Sequence, residues 1–352
     1  MKKRPILLIS VFLIIIILII IINLIYIIKN KNETNNIKLE NNNIDFNSLT
    51  LKQKIAQMIV VRGDDKIDPD FTNQNVGGIF LDRQKSEEDY IKIISKNQNN
   101  SKIKLFVTTD MEGAWNPFTI FTQFPSFSEI NSSEEAYKTG LDEGLLLKRI
   151  GFNLNFAPVA EYSDKSYGGR AFLGNKSEIK SKLKSYITGL QKNTLGTCKH
   201  FPGKGMINNL HLITDKENIT NDDLELFNDC INNNISSIMI GHQITEGKIE
   251  SFGKPSSVSK EVISSLGNFS GLIISDEINM QGLKSLYKNK VDIYRDLINS
   301  GDNVILDFDL DSKSLDKLTD SISKMVYNGT INGENINKSV KKILIAKGYK
   351  IK

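Results

Sequence analysis

The chain has 352 residues, with 45 Lys and Arg against 41 Asp and Glu and a formal net charge of +4. That length admits one large domain or two ordinary ones. The mild charge, without a basic stripe interleaved with aromatics, argues against nucleic acid as a partner. The two cysteines, Cys198 and Cys230, lack metal-ligand spacing, and the sequence leaves their pairing open.

At the amino terminus Lys2, Lys3 and Arg4 precede an apolar run from Ile6 to Ile28, relieved only by Ser10, Asn23 and Tyr26. A helix over that run would cross a hydrocarbon core of roughly 30 Å. A cleaved leader has a shorter apolar region and small residues at its cut site; neither is present, and no cysteine follows for a lipid anchor. The expectation is an uncleaved transmembrane signal anchor over residues 1–29. The basic cluster then lies inside and the rest of the chain is extracytoplasmic, although Lys29 and Lys31 weaken the charge asymmetry. Residues 30–47 are polar and Asn-rich without a periodic apolar face, which reads as a tether. The folded domain is expected over residues 48–350.

The stretch Leu49–Met58 carries Thr50 as a candidate N-cap and apolar residues at helical spacing. From there short apolar runs alternate with amphipathic or capped segments. Candidate strands are Met58–Val61, Val76–Leu81, Ile103–Thr109, Phe152–Ala157, Gly196–Lys199, Ser236–Ile240, Gly271–Ser275 and Asn303–Asp307. Candidate helices include Ser86–Lys96, Ser133–Arg149, Lys176–Gln191, Asp222–Asn232, Ser259–Leu266 and Leu283–Ser300, with two more near Ser312–Val326 and Ile336–Lys347. Nearly all-apolar strands alternating with helices imply a parallel sheet covered on both faces. Eight strands fit a (β/α)8 TIM-type barrel forming a single catalytic domain. A doubly wound open sheet is the alternative, but neither GxGxxG nor GxxxxGK[ST] occurs.

In such a barrel chemistry sits at the carboxyl ends of the strands. The inner runs end accordingly: in Asp110-Met-Glu112, in a run containing Asn153 and Asn155 and followed by Pro158 and Glu161, in Lys199-His200, in Gly241-His242 and in Asp276-Glu277. One strand-end carboxylate commonly caps the next helix. Five polar ends on one rim point to a pocket.

Lys199-His-Phe-Pro-Gly-Lys-Gly205 resembles the Lys-His-Phe-Pro-Gly-x-Gly signature of glycoside hydrolase family 3, in particular its β-N-acetylglucosaminidase branch. Ile274-Ser-Asp-Glu-Ile-Asn-Met-Gln-Gly282 is similar to the family's nucleophile strand. Gly151–Val159, Gly169-Arg-Ala-Phe172, Ile238–His242, Lys254–Ser259 and Gly301-Asp302 agree in collinear order. The resemblance implies a retaining hydrolase without metal or organic cofactor. Asp276 would be the nucleophile that forms a covalent glycosyl-enzyme. Asp110, Arg170, Lys199 and His200 would hydrogen-bond sugar hydroxyls. The branch's acid/base is a loop histidine paired with an Asp two residues earlier; His211 is the candidate, with Asn209 in place of the Asp and Asp215 as a substitute partner.

Two further departures bear on substrate choice. No arginine follows Asp110 before Arg149, and Lys204 stands where the family's motif usually has a second histidine. Trp115, the sole tryptophan, is either a rim anchor for a sugar face or a packing residue. The implied activity is an exo-acting β-N-acetylhexosaminidase on peptidoglycan or related amino-sugar glycans, attached to the membrane through its amino-terminal helix. A β-glucosidase or phosphorylase of the same fold, and a glycan-binding relic, are the alternatives.

Overall fold

The computed structural model describes residues 37–63, 70–163, 168–203 and 215–352, together with Ile17. Eight parallel strands close a barrel: β1 (Ile59–Arg62), β2 (Gly78–Phe80), β3 (Phe106–Thr109), β4 (Leu154–Asn155), β5 (Leu195–Phe201), β6 (Ser237–Ile240), β7 (Leu272–Glu277) and β8 (Val304–Asp307). Each pairs with the next in sequence, and β8 returns to β1 with Asp307 opposite Val61. The strands are short because the barrel interior takes only a few layers of side chains, here Val, Ile, Leu and Phe with little or no exposure.

The principal helices are α1 (Leu51–Gln57), α2 (Glu87–Asn100), α3 (Ser133–Ile150), α4 (Lys176–Leu190), α5 (Asn221–Asn232), α6 (Lys260–Ser264), α7 (Lys290–Ser300), α8 (Ser312–Tyr327) and α9 (Gly333–Ala346). Thr50 caps α1 in a reciprocal box: its hydroxyl accepts the Gln53 N–H at 3.1 Å, and the Gln53 side chain accepts the Thr50 N–H at 2.9 Å. The barrel expected from the alternation is thus formed, and the open sheet is not. The expected helix over Leu283–Ser300 is two pieces, Gln281–Lys284 and α7, because Asn289 takes an extended N-cap conformation between them.

The polar amino-terminal stretch differs from expectation. Leu39–Glu40 and Asn43–Ile44 form an antiparallel hairpin, and Asn43–Ile44 also pairs in parallel with Lys350–Ile351 at the other end of the chain. Asn41 and Asn42 have φ of 48° and 62°, the left-handed pair that a two-residue hairpin turn demands and that asparagine tolerates. Ile44 and Phe46 are buried. Residues 37–47 therefore pack as part of the domain and not as the expected tether. The expected anchor over residues 1–29 lies outside the described residues, Ile17 excepted. Among the described residues no helix is long and apolar enough to cross a membrane.

α3 and α4 meet closely. A Cβ on Gly140 would stand 2.3 Å from the Tyr186 carbonyl, and one on Gly189 would stand 2.2 Å from the Tyr137 carbonyl. Between the helices the fully buried Glu143 shares a 2.6 Å hydrogen bond with the Tyr186 hydroxyl. Burial pushes the Glu143 carboxyl up to about 8, against the pull of that hydrogen bond. The folded state thus holds the proton more tightly than the unfolded chain, and stability falls as pH rises from the unfolded pKa toward about 8. The wild-type protein should lose about 2–4 kcal/mol across that window from this group. Glu143→Gln should flatten the profile, as read by denaturant unfolding at pH 5 and pH 8. An unchanged pH slope in the variant would refute the assignment.

Candidate active site

A cavity of about 350 Å³ opens at the carboxyl ends of the strands. Its polar wall is built by β3, β4 and β5. The side chain of Asn155 on β4 grips the peptide group of Met111 from both sides, accepting its N–H at 2.9 Å and donating to its carbonyl at 3.0 Å. That grip fixes the segment after β3 and sets Asp110 and Glu112 on either side of the buried Met111. Arg170 is presented by the connection after β4. Its predecessor Gly169 has φ of 93° and lies so close to Ala114 that a Cβ would approach to 2.8 Å. The Gly169 carbonyl accepts the Phe127 N–H at 2.9 Å, and Phe172 stacks on Phe127 with ring centroids 4.8 Å apart.

Lys199 donates to Asp110 Oδ1 at 2.5 Å and lies 2.9 Å from Glu112 Oε1. Arg170 holds the same Glu112 through Nε at 2.9 Å and Nη2 at 3.1 Å. Burial disfavours the Lys199 ammonium, but its two carboxylates outweigh burial and raise its pKa. Glu112, between two cations, stays below the usual glutamate value despite burial. Burial dominates at Asp110 and pushes it up to about 6.

Consecutive residues of a strand normally point to opposite faces. Lys199 and His200 nevertheless both line the cavity, as do Asp276 and Glu277. The register explains both pairs. Cys198 faces Ile238 while Phe201 faces Ile240, and Ile274 faces Val304 while Glu277 faces Leu306. In each case three steps on one strand match two on its neighbour, a bulge of one residue that re-aims a side chain.

Asp276 carries its Oδ2 3.8 Å from His200 Nε2. Burial disfavours the ionised form of Asp276. Interactions with His200 and His242 first, then the Glu277 N–H at 2.8 Å and Lys199, outweigh burial and lower its pKa. His200 behaves oppositely: burial pulls its pKa down to about 4 against the attraction of Asp276. At neutral pH the pair is an aspartate beside a neutral imidazole.

The strand end that bears Asp276 is clamped from two directions. His242 Nε2 lies 3.0 Å from the Glu277 carbonyl and Nδ1 lies 2.8 Å from Ser257 Oγ. A carbonyl only accepts, so Nε2 carries the proton and the Ser257 hydroxyl donates to Nδ1. The Glu277 carboxylate accepts the N–H groups of Asn279 at 3.0 Å and Phe308 at 3.2 Å, and the Asn279 side-chain amide as well. Asn279 continues to the buried Asp307 at 2.9 Å, which also takes Lys290 at 2.8 Å and the Tyr294 hydroxyl at 2.9 Å. Burial raises Glu277 itself to about 6.

The structure thus gathers five of the six expected site residues, Asp110, Arg170, Lys199, His200 and Asp276, around one cavity. The sixth, His211, lies outside the described residues, as do Asn209 and Lys204. Asp215 caps its own neighbour, accepting the Lys216 N–H at 2.9 Å. Trp115 is 55% exposed and does not line the cavity. Glu112, the shared partner of both cations, was visible in the sequence as a strand-end carboxylate but was not assigned. Arg62, Phe308 and Asp309 also line the cavity, from the ends of β1 and β8. The strand-end rule would have found them had it been extended beyond the inner strands. Among the described residues no group of three or more His, Cys, Asp or Glu side chains is arranged to hold a metal ion.

A sequence profile described as the glycosyl hydrolase family 3 N-terminal domain matches residues 50–346. The chain belongs to that family. It is accordingly a glycoside hydrolase. A protein of Photobacterium profundum named beta-hexosaminidase is 30% identical over 226 residues, 59% of this chain and 67% of that one. A second with the same name, from Haemophilus influenzae, is 27% identical over 251 residues, 65% of this chain and 70% of that one. The solved structure of a glycoside hydrolase family 3 β-N-acetylglucosaminidase from a Paenibacillus species matches with a TM-score of 0.76 at 22% identity, over 85% of this chain and 62% of that one. At that identity the likeness is one of fold.

The family 3 site makes the His242 clamp testable. Removing the imidazole releases the Glu277 carbonyl and with it the aim of Asp276, and a misplacement of about 1 Å costs roughly 10²-fold in rate. His242→Ala should lower kcat on that order with KM nearly unchanged. Ser257→Ala, which frees the tautomer, should give a smaller loss of the same kind. A KM effect with kcat intact would show that His242 acts on binding instead.

Proposed function

We propose that this family 3 member is a retaining, exo-acting β-N-acetylhexosaminidase. The observation that carries the reading is Asp276: an ionised carboxylate on a bulged strand end, opening on a cavity whose other groups suit sugar hydroxyls. Asp276 attacks the anomeric carbon as the bond to the leaving oxygen breaks, and a covalent glycosyl-enzyme forms. An acid protonates the leaving oxygen and then, as base, deprotonates the water that releases the sugar. That role is assigned to His211 on its place in the sequence motif. Asp110, Lys199, Arg170 and His200 bind the ring, the cations as donors and the carboxylate as acceptor. The names of the Photobacterium and Haemophilus relatives support an N-acetylhexosamine at the cleaved end.

The further parts of the reading rest on the amino terminus and on the cysteines. The basic cluster and apolar run of residues 1–29 support a membrane anchor with the barrel on the extracytoplasmic side. Cys198 on β5 and Cys230 on α5 form a disulfide, a bond that persists in oxidising compartments. A surface enzyme of this kind would act on amino-sugar glycans such as peptidoglycan.

The mechanism is tested by intact mass. Wild type incubated with a fluorinated, activated β-N-acetylglucosaminide should gain one sugar, and the adduct should map to Asp276. Asp276→Asn should form no adduct and lose at least about 10³-fold in kcat. Turnover that survives Asp276→Asn would remove the nucleophile assignment. His211→Ala should still form the adduct with an activated leaving group but release it slowly.

A further inference from the structure

The floor of the barrel, at the opposite end of the strands from Asp276, holds a second cavity of about 300 Å³. It lies where β3, β4 and β5 begin and where α4 and α9 end, and its lining includes Phe106, Asn153, Gln191, Lys192, Thr194 and Lys347. Among the described residues no carboxylate lines it. The amides of Asn153 and Gln191 are already engaged. Asn153 accepts the Val107 N–H and donates to the Leu105 carbonyl, each at 2.9 Å. Gln191 accepts the Ser236 N–H at 2.8 Å and the Ser236 hydroxyl at 2.6 Å, and donates to the Asn234 carbonyl at 2.9 Å.

What remains are donors. Lys347 is the C-cap of α9, and its amine donates to Oε1 of the fully buried Gln57 at 2.9 Å. The Gln57 amide is fixed in that orientation, because its nitrogen donates to the Asn75 carbonyl at 2.6 Å and to the Val76 carbonyl at 3.2 Å. The Lys347 nitrogen also lies 4.9 Å from the centre of the Phe106 ring. Among the described residues it pairs with no carboxylate, and burial, unopposed, pushes its pKa down to about 7. An ammonium has three N–H donors, and Gln57 takes one. Thr194 is 6% exposed, and its buried hydroxyl has no hydrogen-bond partner among the described residues. Lys192, also in the lining, is exposed.

We propose that this floor cavity binds a small dianionic oxyanion of the phosphate or sulfate class, with Lys347 and Thr194 as inner donors and Lys192 as an outer cation. Two ammonium groups and a hydroxyl offer donors to such a ligand, and the anion brings the negative charge that the protein withholds from Lys347. Each hydrogen bond between charged groups is worth about 10-fold or more in affinity. Lys347 takes up a proton as the anion enters, because a neighbouring dianion favours the ammonium over the amine. The site lies apart from the sugar chemistry at the mouth and does not rest on it.

The test is calorimetric titration of the full-length protein with sulfate at pH 8, where that anion does not titrate, exchanged for chloride at constant ionic strength. Runs in two buffers of different ionisation enthalpy read the protons taken up. Wild type should bind sulfate with a dissociation constant of about 1 mM or tighter and take up about one proton per anion bound. Lys347→Met should weaken binding at least about 10-fold and abolish the proton uptake. Thr194→Val, and the exposed change Lys192→Met, should each weaken binding by about 3- to 10-fold and leave the uptake in place. Inorganic phosphate should compete with sulfate in wild type. Thermal unfolding of each variant separates these losses from loss of the fold. An anion held by Lys199 and Arg170 at the mouth would survive Lys347→Met unchanged. That result, no saturable binding, binding without proton uptake, or an affinity untouched by both Thr194→Val and Lys192→Met would overturn the floor site.

Discussion

The Lys199 ammonium, buried between Asp110 and Glu112, is the interaction on which the site depends. Removing an ammonium and two carboxylates from water costs several kcal/mol per ion, and pairing repays that only where the geometry is good. Each member of the cluster therefore needs the others. Glu112 cannot serve Lys199 and remain satisfied without the two donors of Arg170, and Arg170 reaches it only because Gly169 lets the chain pass against Ala114. Lys199⁺ and Arg170⁺ balance ionised Asp110 and Glu112. Apolar side chains of like volume would stabilise the barrel as well or better. What the charges supply is a wall of fixed donors and acceptors where water is largely excluded, which is the requirement for holding a hydroxyl-rich ring in one orientation.

The same burial acts oppositely on two adjacent residues of β5, and the distances decide which way. Lys199 has carboxylate oxygens at 2.5 and 2.9 Å and stays charged. His200 has one at 3.8 Å and a cationic neighbour, and burial prevails. A protonated His200 would pair with Asp276 and blunt its attack. A neutral one leaves the negative charge on the carboxylate that must form the bond, yet keeps an N–H for a hydroxyl. The strand thus places a permanent cation where binding needs one and withholds a cation from the nucleophile.

Much of this was legible in the sequence because barrels obey simple rules. Apolar runs gave the strands, and polar residues at their ends gave Asp110, Lys199, His200 and Asp276. What stayed hidden was geometry that leaves little pattern. The one-residue bulges in β5 and β7 have no glycine or proline signature within the bulge, yet they bring Lys199 and His200, and Asp276 and Glu277, onto one side. Asn153 and Asn155 read as chemistry, but both are scaffold: Asn153 bonds Leu105 and Val107 along β3, and Asn155 grips Met111. Asn41-Asn42 read as part of a tether because an Asn-Asn hairpin turn is lost among other asparagines. Arg62 and Phe308 sit at the ends of the first and last strands, which meet only when the barrel closes.

That closure has a chemical consequence. In a linear view β1 and β8 are nearly as far apart as two strands can be, and their terminal residues seem unrelated to Asp276. In the barrel β8 lies between β7 and β1, so the nucleophile has a charged arc on one side and an aromatic, arginine-edged arc on the other. The Glu277 network ties the halves together, because Glu277 accepts the Phe308 N–H while its carbonyl meets His242. The backbone position of Phe308 is thereby coupled to that of Asp276 through one side chain. Any shift that re-aims the nucleophile also moves the aromatic face beside it, so both are positioned by the same hydrogen bonds.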